Sequence, residues 1–198
     1  INCTGQRQIG EWAPPRHETG MTEKSTVFLS YAHIDDDDRG IVGWLTGALE
    51  SELKRQTGTD WSVFQDARGI KFGQPWQTVI RSSVASAGFF VFLLSPSYFQ
   101  SDSCREELEV FLRREEQLDR PDLIFPLRWI APRASQKTDN LVKAALARQY
   151  IDISGLRHAD TKSEPWRAAV SNIAGGIIEA ADRGTPISKK SLKNLLQE

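Results

Sequence analysis

The chain reads as an α/β protein built on a five-stranded parallel sheet with helices on both faces. Short apolar runs, rich in β-branched and aromatic residues, alternate along it with segments whose apolar residues repeat at three- and four-residue steps. One run, Gly88-Phe-Phe-Val-Phe-Leu-Leu94, is apolar throughout, as a central strand buried on both faces must be.

Each element follows from its own pattern. Thr26-Val-Phe-Leu-Ser-Tyr31 is the first strand. A polar connection, Ala32 to Asp38, leads to a helix marked by Val42, Leu45, Leu49 and Leu53, which Gly58 ends. Trp61–Gln65 alternates and forms the second strand. After a loop from Asp66 to Gly73, Pro75 opens a helix whose apolar face is Trp76, Val79, Ile80 and Val84. The third strand, Gly88–Leu94, is followed by a loop to Ser101 and a helix to Leu118, with Leu108, Phe111 and Leu112 inward. Asp122–Leu127 is the fourth strand, and Pro126 gives it an edge position or an early end. A short helix over Leu141–Ala147 and a fifth strand over Gln149–Ile153 come next. Pro165 starts the last helix, with Trp166, Val170, Ile173, Ile177 and Ile178 facing the core, and Arg183-Gly184 ends it. The domain therefore spans residues 25–183, after a leader over 1–24 and before a tail or linker over 184–198.

Composition excludes several function classes. The 198 residues suffice for one domain with its own core, and the formal net charge of −1 draws the chain to neither nucleic acid nor anionic membrane. No basic stripe interleaved with aromatics is present, so nucleic acid is not an expected partner. The longest apolar run, Phe89 to Leu94, is far short of a bilayer span, so no membrane partner is expected. Two cysteines in unrelated contexts, Cys3 and Cys104, argue for a reducing, cytoplasmic compartment. No metal-ligand spacing occurs.

In a parallel sheet of this kind, ligands bind beyond the carboxyl ends of the strands. Functional residues should sit in the loops after Tyr31, Gln65, Leu94 and Leu127. Glu107 stands out there. Ser103 and Glu106 have capping-box spacing, which gives Glu106 a structural reason to exist. Glu107 has none. It lies beside Leu108 at the edge of the apolar stripe, near the start of the helix after the third strand. Its plain alternative is a surface glutamate favoured by the helix dipole. The acidic run Asp35–Asp38 reads as helix capping and dipole compensation. Cys104 reads as packing, although the helix start and Arg105 would lower its thiol pKa. Tyr31 either lines a site or ends its strand with its hydroxyl in water.

The motifs, in order, resemble the Toll/interleukin-1 receptor (TIR) domain family, in its bacterial form. Phe28-Leu-Ser-Tyr-Ala-His33 with Asp35 is similar to the family's first box. Phe64-Gln-Asp66, Gly69-Ile70, Gly73 and Trp76 are similar to its second box and BB loop. Ser95-Pro-Ser-Tyr98, Ser101 and Cys104-Arg-Glu-Glu-Leu108 resemble the stretch around the family's catalytic glutamate, and Trp166 the aromatic of the third box. The resemblance implies a flavodoxin-like fold. It implies, for some members, cleavage of NAD⁺ at the nicotinamide–ribose bond, to ADP-ribose or a cyclic form, in immune or antiphage defence signalling. Glu107 would then be catalytic. Ser30, Tyr31, Ala32 and Cys104 would contact substrate, with Asp66, Arg68, Ile70, Lys71 and Trp76 from the BB loop region. NAD⁺ would be a substrate, with no cofactor. Partners would be further TIR domains, through self-association, and an attached or separate sensor domain. Other members act only as scaffolds for homotypic binding, and fold alone does not choose between the two. A nucleoside deoxyribosyltransferase-like enzyme shares the layout and a glutamate, but matches the boxes less well. One departure stands at Ser103, where active relatives often carry a tryptophan four residues before the glutamate. Its loss removes an aromatic wall of the nicotinamide pocket.

Overall fold

The computed structural model describes residues 25–36, 40–65 and 87–184. The expected leader, the loop and helix over 66–86 and the tail after Gly184 lie outside the described residues. So do Asp66, Arg68, Ile70, Lys71 and Trp76.

Five parallel strands form one sheet: β1 (Ser25–Ser30), β2 (Trp61–Gln65), β3 (Phe89–Leu94), β4 (Ile124–Arg128) and β5 (Ile151–Asp152). Their spatial order is β2-β1-β3-β4-β5, which is the flavodoxin-like order. Among the described residues four α-helices accompany them: α1 (Ile41–Thr57), α2 (Asp102–Leu118), α3 (Asn140–Leu146) and α4 (Glu164–Asp182). None of these helices is long and apolar enough to cross a membrane.

The register explains the two-sided core. Parallel partners share a face, so Phe28 of β1 stands beside Phe64 of β2 and Phe90 of β3. Their rings touch, with centroids 5.3 and 5.9 Å apart, and Phe111 of α2 stacks on Phe90 at 4.5 Å. The opposite face carries Trp61, Phe89 and Phe125, and α1 and α4 pack together over it. Trp166 of α4 is fully buried there, edge-on to Trp44 of α1 at 5.1 Å. The all-apolar β3 is buried at every position and central, as its composition requires.

Strand edges shift by a residue or two, and three features differ more from the sequence expectation. The β4 strand is interior rather than an edge, but its pairing with β5 begins only at Leu127, so Pro126 meets no ladder partner on that side. The β5 strand keeps two residues of the five expected, Ile151 and Asp152, which pair with Leu127 and Arg128 of β4. The third concerns the start of α2. Its cap is Ser101, whose side chain accepts from the Cys104 N–H, and Ser103 is already inside the helix, bonded to Ser101. The capping box read between Ser103 and Glu106 is therefore incorrect, because the first turn begins two residues earlier. Gly58 ends α1 as expected, at φ 70°, a left-handed conformation that suits glycine.

The stack of Phe111 on Phe90 yields a direct expectation. Phe111→Ala should lower unfolding stability by about 3–5 kcal/mol, since it opens a cavity between α2 and the sheet. Urea denaturation followed by far-UV circular dichroism measures it.

Candidate functional site

In the strand order found here the winding of the sheet reverses between β1 and β3, and the crevice at that point is where such sheets bind ligands. Two groups of side chains meet across it. Each joins the end of β1, or the loop after it, to the segment after β3.

The first group centres on Glu107. Glu107 lies on the inward side of α2, one turn past its start, and is only 2% exposed. It is thus no ordinary surface glutamate. Ser30, the last residue of β1, donates its hydroxyl to Glu107 Oε2 at 2.5 Å. The Ser30 oxygen also lies 3.0 Å from the Tyr98 hydroxyl, and that hydroxyl lies 3.1 Å from the Cys104 carbonyl. Tyr98 is fully buried, its ring 4.8 Å from that of Phe92. Burial, then the neighbouring Cys104 and Glu107, push the Tyr98 phenol well above its ordinary pKa, so it stays protonated.

The second group centres on Asp35. This carboxylate sits in a 3-10 turn, His33–Asp35, and is nearly buried. It accepts from Ser95 Oγ at 2.5 Å, and Ser95 Oγ in turn accepts from the Tyr98 N–H at 3.0 Å. The capping role read for the acidic run holds for Asp36, whose Oδ1 accepts from the Val42 N–H of α1, but not for Asp35. The turn swings Asp35 inward, away from the helix it was read to cap. Burial raises the Asp35 pKa, against the opposing pull of the Ser95 hydrogen bond and the Arg157 charge.

The remaining expected residues fall close by. The Cys104 thiol is buried and donates to the Tyr31 carbonyl at 3.4 Å, which joins α2 to the end of β1. Tyr31 is 5% exposed, edge-on to His33, so the reading of its hydroxyl as simply standing in water is set aside. Ala32 is buried and accepts from the Asp35 N–H. Ser30, Tyr31, Ala32, Cys104 and Glu107 are thus brought together. Sequence reasoning missed Tyr98, Ser95 and Asp35 as members of this assembly. The signal was present in Ser95-Pro-Ser-Tyr98, because a serine hydroxyl commonly caps an N–H three residues on.

A separate cleft of about 430 Å³ opens one strand further along the same edge. Phe99, Gln100, Ser135, Gln136, Asp139 and Val142 help to line it, and Glu107 does not. Among the described residues no group of three or more His, Cys, Asp or Glu side chains could hold a metal ion.

With this geometry in hand, the chain can be set beside known proteins. The family model of the TIR domain matches residues 27–168, most of the chain. The chain belongs to the TIR domain family. No curated protein matches it. Among solved structures, it is similar to the TIR domains of the activated Roq1 resistosome that recognises the pathogen effector XopQ. There the identity is 21%, over 88% of this chain and 98% of that one, with a TM-score of 0.43. It is also similar to the TIR domain of the Toll-related receptor TRR-2 from Hydra magnipapillata. The identity is 18%, over 74% of this chain and 96% of that one, with a TM-score of 0.43. A diflavin flavoprotein A3 from Nostoc sp. matches at 14% identity over 81% and 96% of the two chains, with a TM-score of 0.45. Family membership rests on the family model and the motif order, not on these distant likenesses.

The Asp35 carboxyl makes the stability of this TIR domain depend on pH in a defined sense. Because its folded pKa is raised, its contribution favours folding below the ordinary value of 3.8 and is lost as pH rises through the folded value. Asp35→Asn removes that loss while keeping an oxygen for Ser95. The melting temperature of the variant, relative to the native chain, should therefore rise as pH is taken from below 3.8 to neutrality, as differential scanning calorimetry will register.

Proposed function

We propose that this TIR domain cleaves NAD⁺ at the nicotinamide–ribose bond, with Glu107 as the reacting-site carboxylate. The observation that carries the reading is a buried glutamate at the β1/β3 switch point, held by hydrogen bonds rather than exposed on a helix surface. The chemistry suits one carboxylate. Glycoside hydrolysis needs an acid, because the leaving oxygen must be protonated. In NAD⁺ the leaving group is a pyridinium. The glycosidic C–N pair departs with it, and nicotinamide leaves neutral. Positive charge grows on the ribosyl carbon, where an aimed carboxylate stabilises it. Water then adds to that carbon and releases one proton, giving ADP-ribose. An adenine nitrogen adding in its place gives a cyclic product. Ser30, Tyr31, Ala32 and Cys104 would lie around the ribose and nicotinamide. The BB-loop residues Asp66, Arg68, Ile70, Lys71 and Trp76 are carried over from the resemblance alone. Self-association of TIR domains in the cytoplasm, under a sensor, would bring the activity on in a defence response.

The second reading is a scaffold that binds other TIR domains without catalysis. In its favour, the Glu107 carboxylate is buried and accepts a hydrogen bond from Ser30, as a purely structural glutamate would. Ser103 in place of the tryptophan points the same way.

Nicotinamide release from NAD⁺, followed chromatographically over a series of protein concentrations, separates the two. Catalysis gives a specific rate that rises with concentration, and Glu107→Gln should cut it on the order of 10²–10³-fold while leaving the fold intact. Undiminished release by Glu107→Gln would refute the role of Glu107. Absence of release at every concentration, with self-association seen by sedimentation, would favour the scaffold.

A further inference from the structure

The contacts around Glu107 raise a question of proton count. Three oxygen–oxygen contacts run from Glu107 to Ser30, from Ser30 to Tyr98, and from Tyr98 to the Cys104 carbonyl. Ser30 and Tyr98 bring one hydroxyl hydrogen each. An ionised carboxylate can only accept, so Ser30 must then donate to Glu107. The Ser30 oxygen is left as an acceptor, and the Tyr98 hydroxyl is the donor that fills it. The Cys104 carbonyl keeps its ordinary partner, the amide one helical turn on. When Glu107 is protonated the order can reverse along the whole line. Glu107 donates to Ser30, Ser30 to Tyr98, and Tyr98 to the Cys104 carbonyl.

The oxygen atoms need not move between these two arrangements. The ring of Tyr98 is fully buried between Phe92 and Phe99, and its backbone N–H is held by Ser95. Only the two O–H bonds turn. Of the three contacts, that between Ser30 and Glu107 is the shortest, at 2.5 Å.

We infer that Ser30 and Tyr98 form a two-hydroxyl relay that orients the Glu107 carboxylate and stabilises its ionised form, the Tyr98 hydroxyl turning from the Cys104 carbonyl to Ser30 as Glu107 ionises. Both are positioning residues, acting through Glu107 rather than on the substrate. This deepens the reading of Glu107 as the reacting carboxylate and rests on it for its functional meaning. It revises the part expected of Ser30. A fully buried hydroxyl bound to Glu107 and Tyr98 is a support for the carboxylate before it is a wall for substrate. The titratable groups set against Tyr98 are Cys104 and Glu107, and the phenol itself stays protonated throughout the range in which a carboxyl titrates.

The test is the titration of the Glu107 side chain, read from its ¹³C carboxyl shift and assigned by its loss in Glu107→Gln. Ser30→Ala should raise the midpoint by roughly one pH unit, because a hydrogen bond to the charged form is removed. Tyr98→Phe keeps the ring and should raise it in the same direction by a smaller amount. A merely structural role would lower the melting temperature of the variants and leave the midpoint where it was. An unmoved midpoint in folded Tyr98→Phe overturns the relay, even if Ser30→Ala does not fold. Activity is read in parallel. If the native domain cleaves NAD⁺, Tyr98→Phe should lower kcat several-fold with KM little changed, and shift the pH profile toward higher pH. If the native domain cleaves none, the catalytic reading fails while the carboxyl titration still decides the relay.

Discussion

The hydrogen bond between Ser30 and Glu107 joins the end of the first strand to the helix that follows the third. It crosses the point at which the sheet reverses its winding order. The two chain segments leave strands that are neighbours in the sheet, though β2 lies between them in the chain. The bond from Ser95 to Asp35 crosses the same gap, and the Cys104 thiol reaches the Tyr31 carbonyl beside it. Everything proposed about chemistry here depends on this junction, because it places a carboxylate at the ligand-binding edge and holds it there.

Burial is what gives the junction its force. A carboxylate withdrawn from water loses solvation, and hydrogen bonds must replace it. Glu115, two turns further along α2, shows the structural solution. Its Oε1 accepts from the Leu123 and Ile124 N–H groups at the start of β4, and it pairs with Arg148. The charge there is matched by a cation and backbone donors, and its task is to fix a strand. Glu107 is held by a serine hydroxyl that is itself held by a tyrosine hydroxyl. A hydroxyl can donate or accept, so the Ser30 contact can serve either protonation state of the carboxyl, whereas a backbone N–H can only donate. The same helix thus carries two buried carboxylates with different partners.

The fold was legible in the sequence because its signals are local. Apolar runs, the three- and four-residue repeats, Gly58 and Pro165 mark where elements stand, and the all-apolar run marked β3 as central. Errors came where a neighbour decides the outcome. Pro126 looked like an edge signal, yet its strand is interior and is simply unpaired at that residue. The capping box at Ser103 was plausible by spacing, but the helix starts at Asp102 behind Ser101. Asp35 and Asp36 are adjacent and chemically identical. One turns inward to Ser95 and the other reaches the start of α1, a difference set by backbone direction.

The spacing of Ser103 and Glu106 predicts a capping role for Glu106 and none for Glu107. The structure removes that contrast, since Ser101 and not Ser103 caps the helix. What distinguishes Glu107 is its burial and its partner at the end of β1. The sequence by itself determined the α/β order, the central strand and the family, because periodicity and motif order are properties of the chain read in line. Only the tertiary structure decided which carboxylates are buried, which hydroxyls meet them, and that Tyr98 belongs to the site. Those facts join residues 68 and 77 positions apart, and no local pattern encodes a contact across that distance.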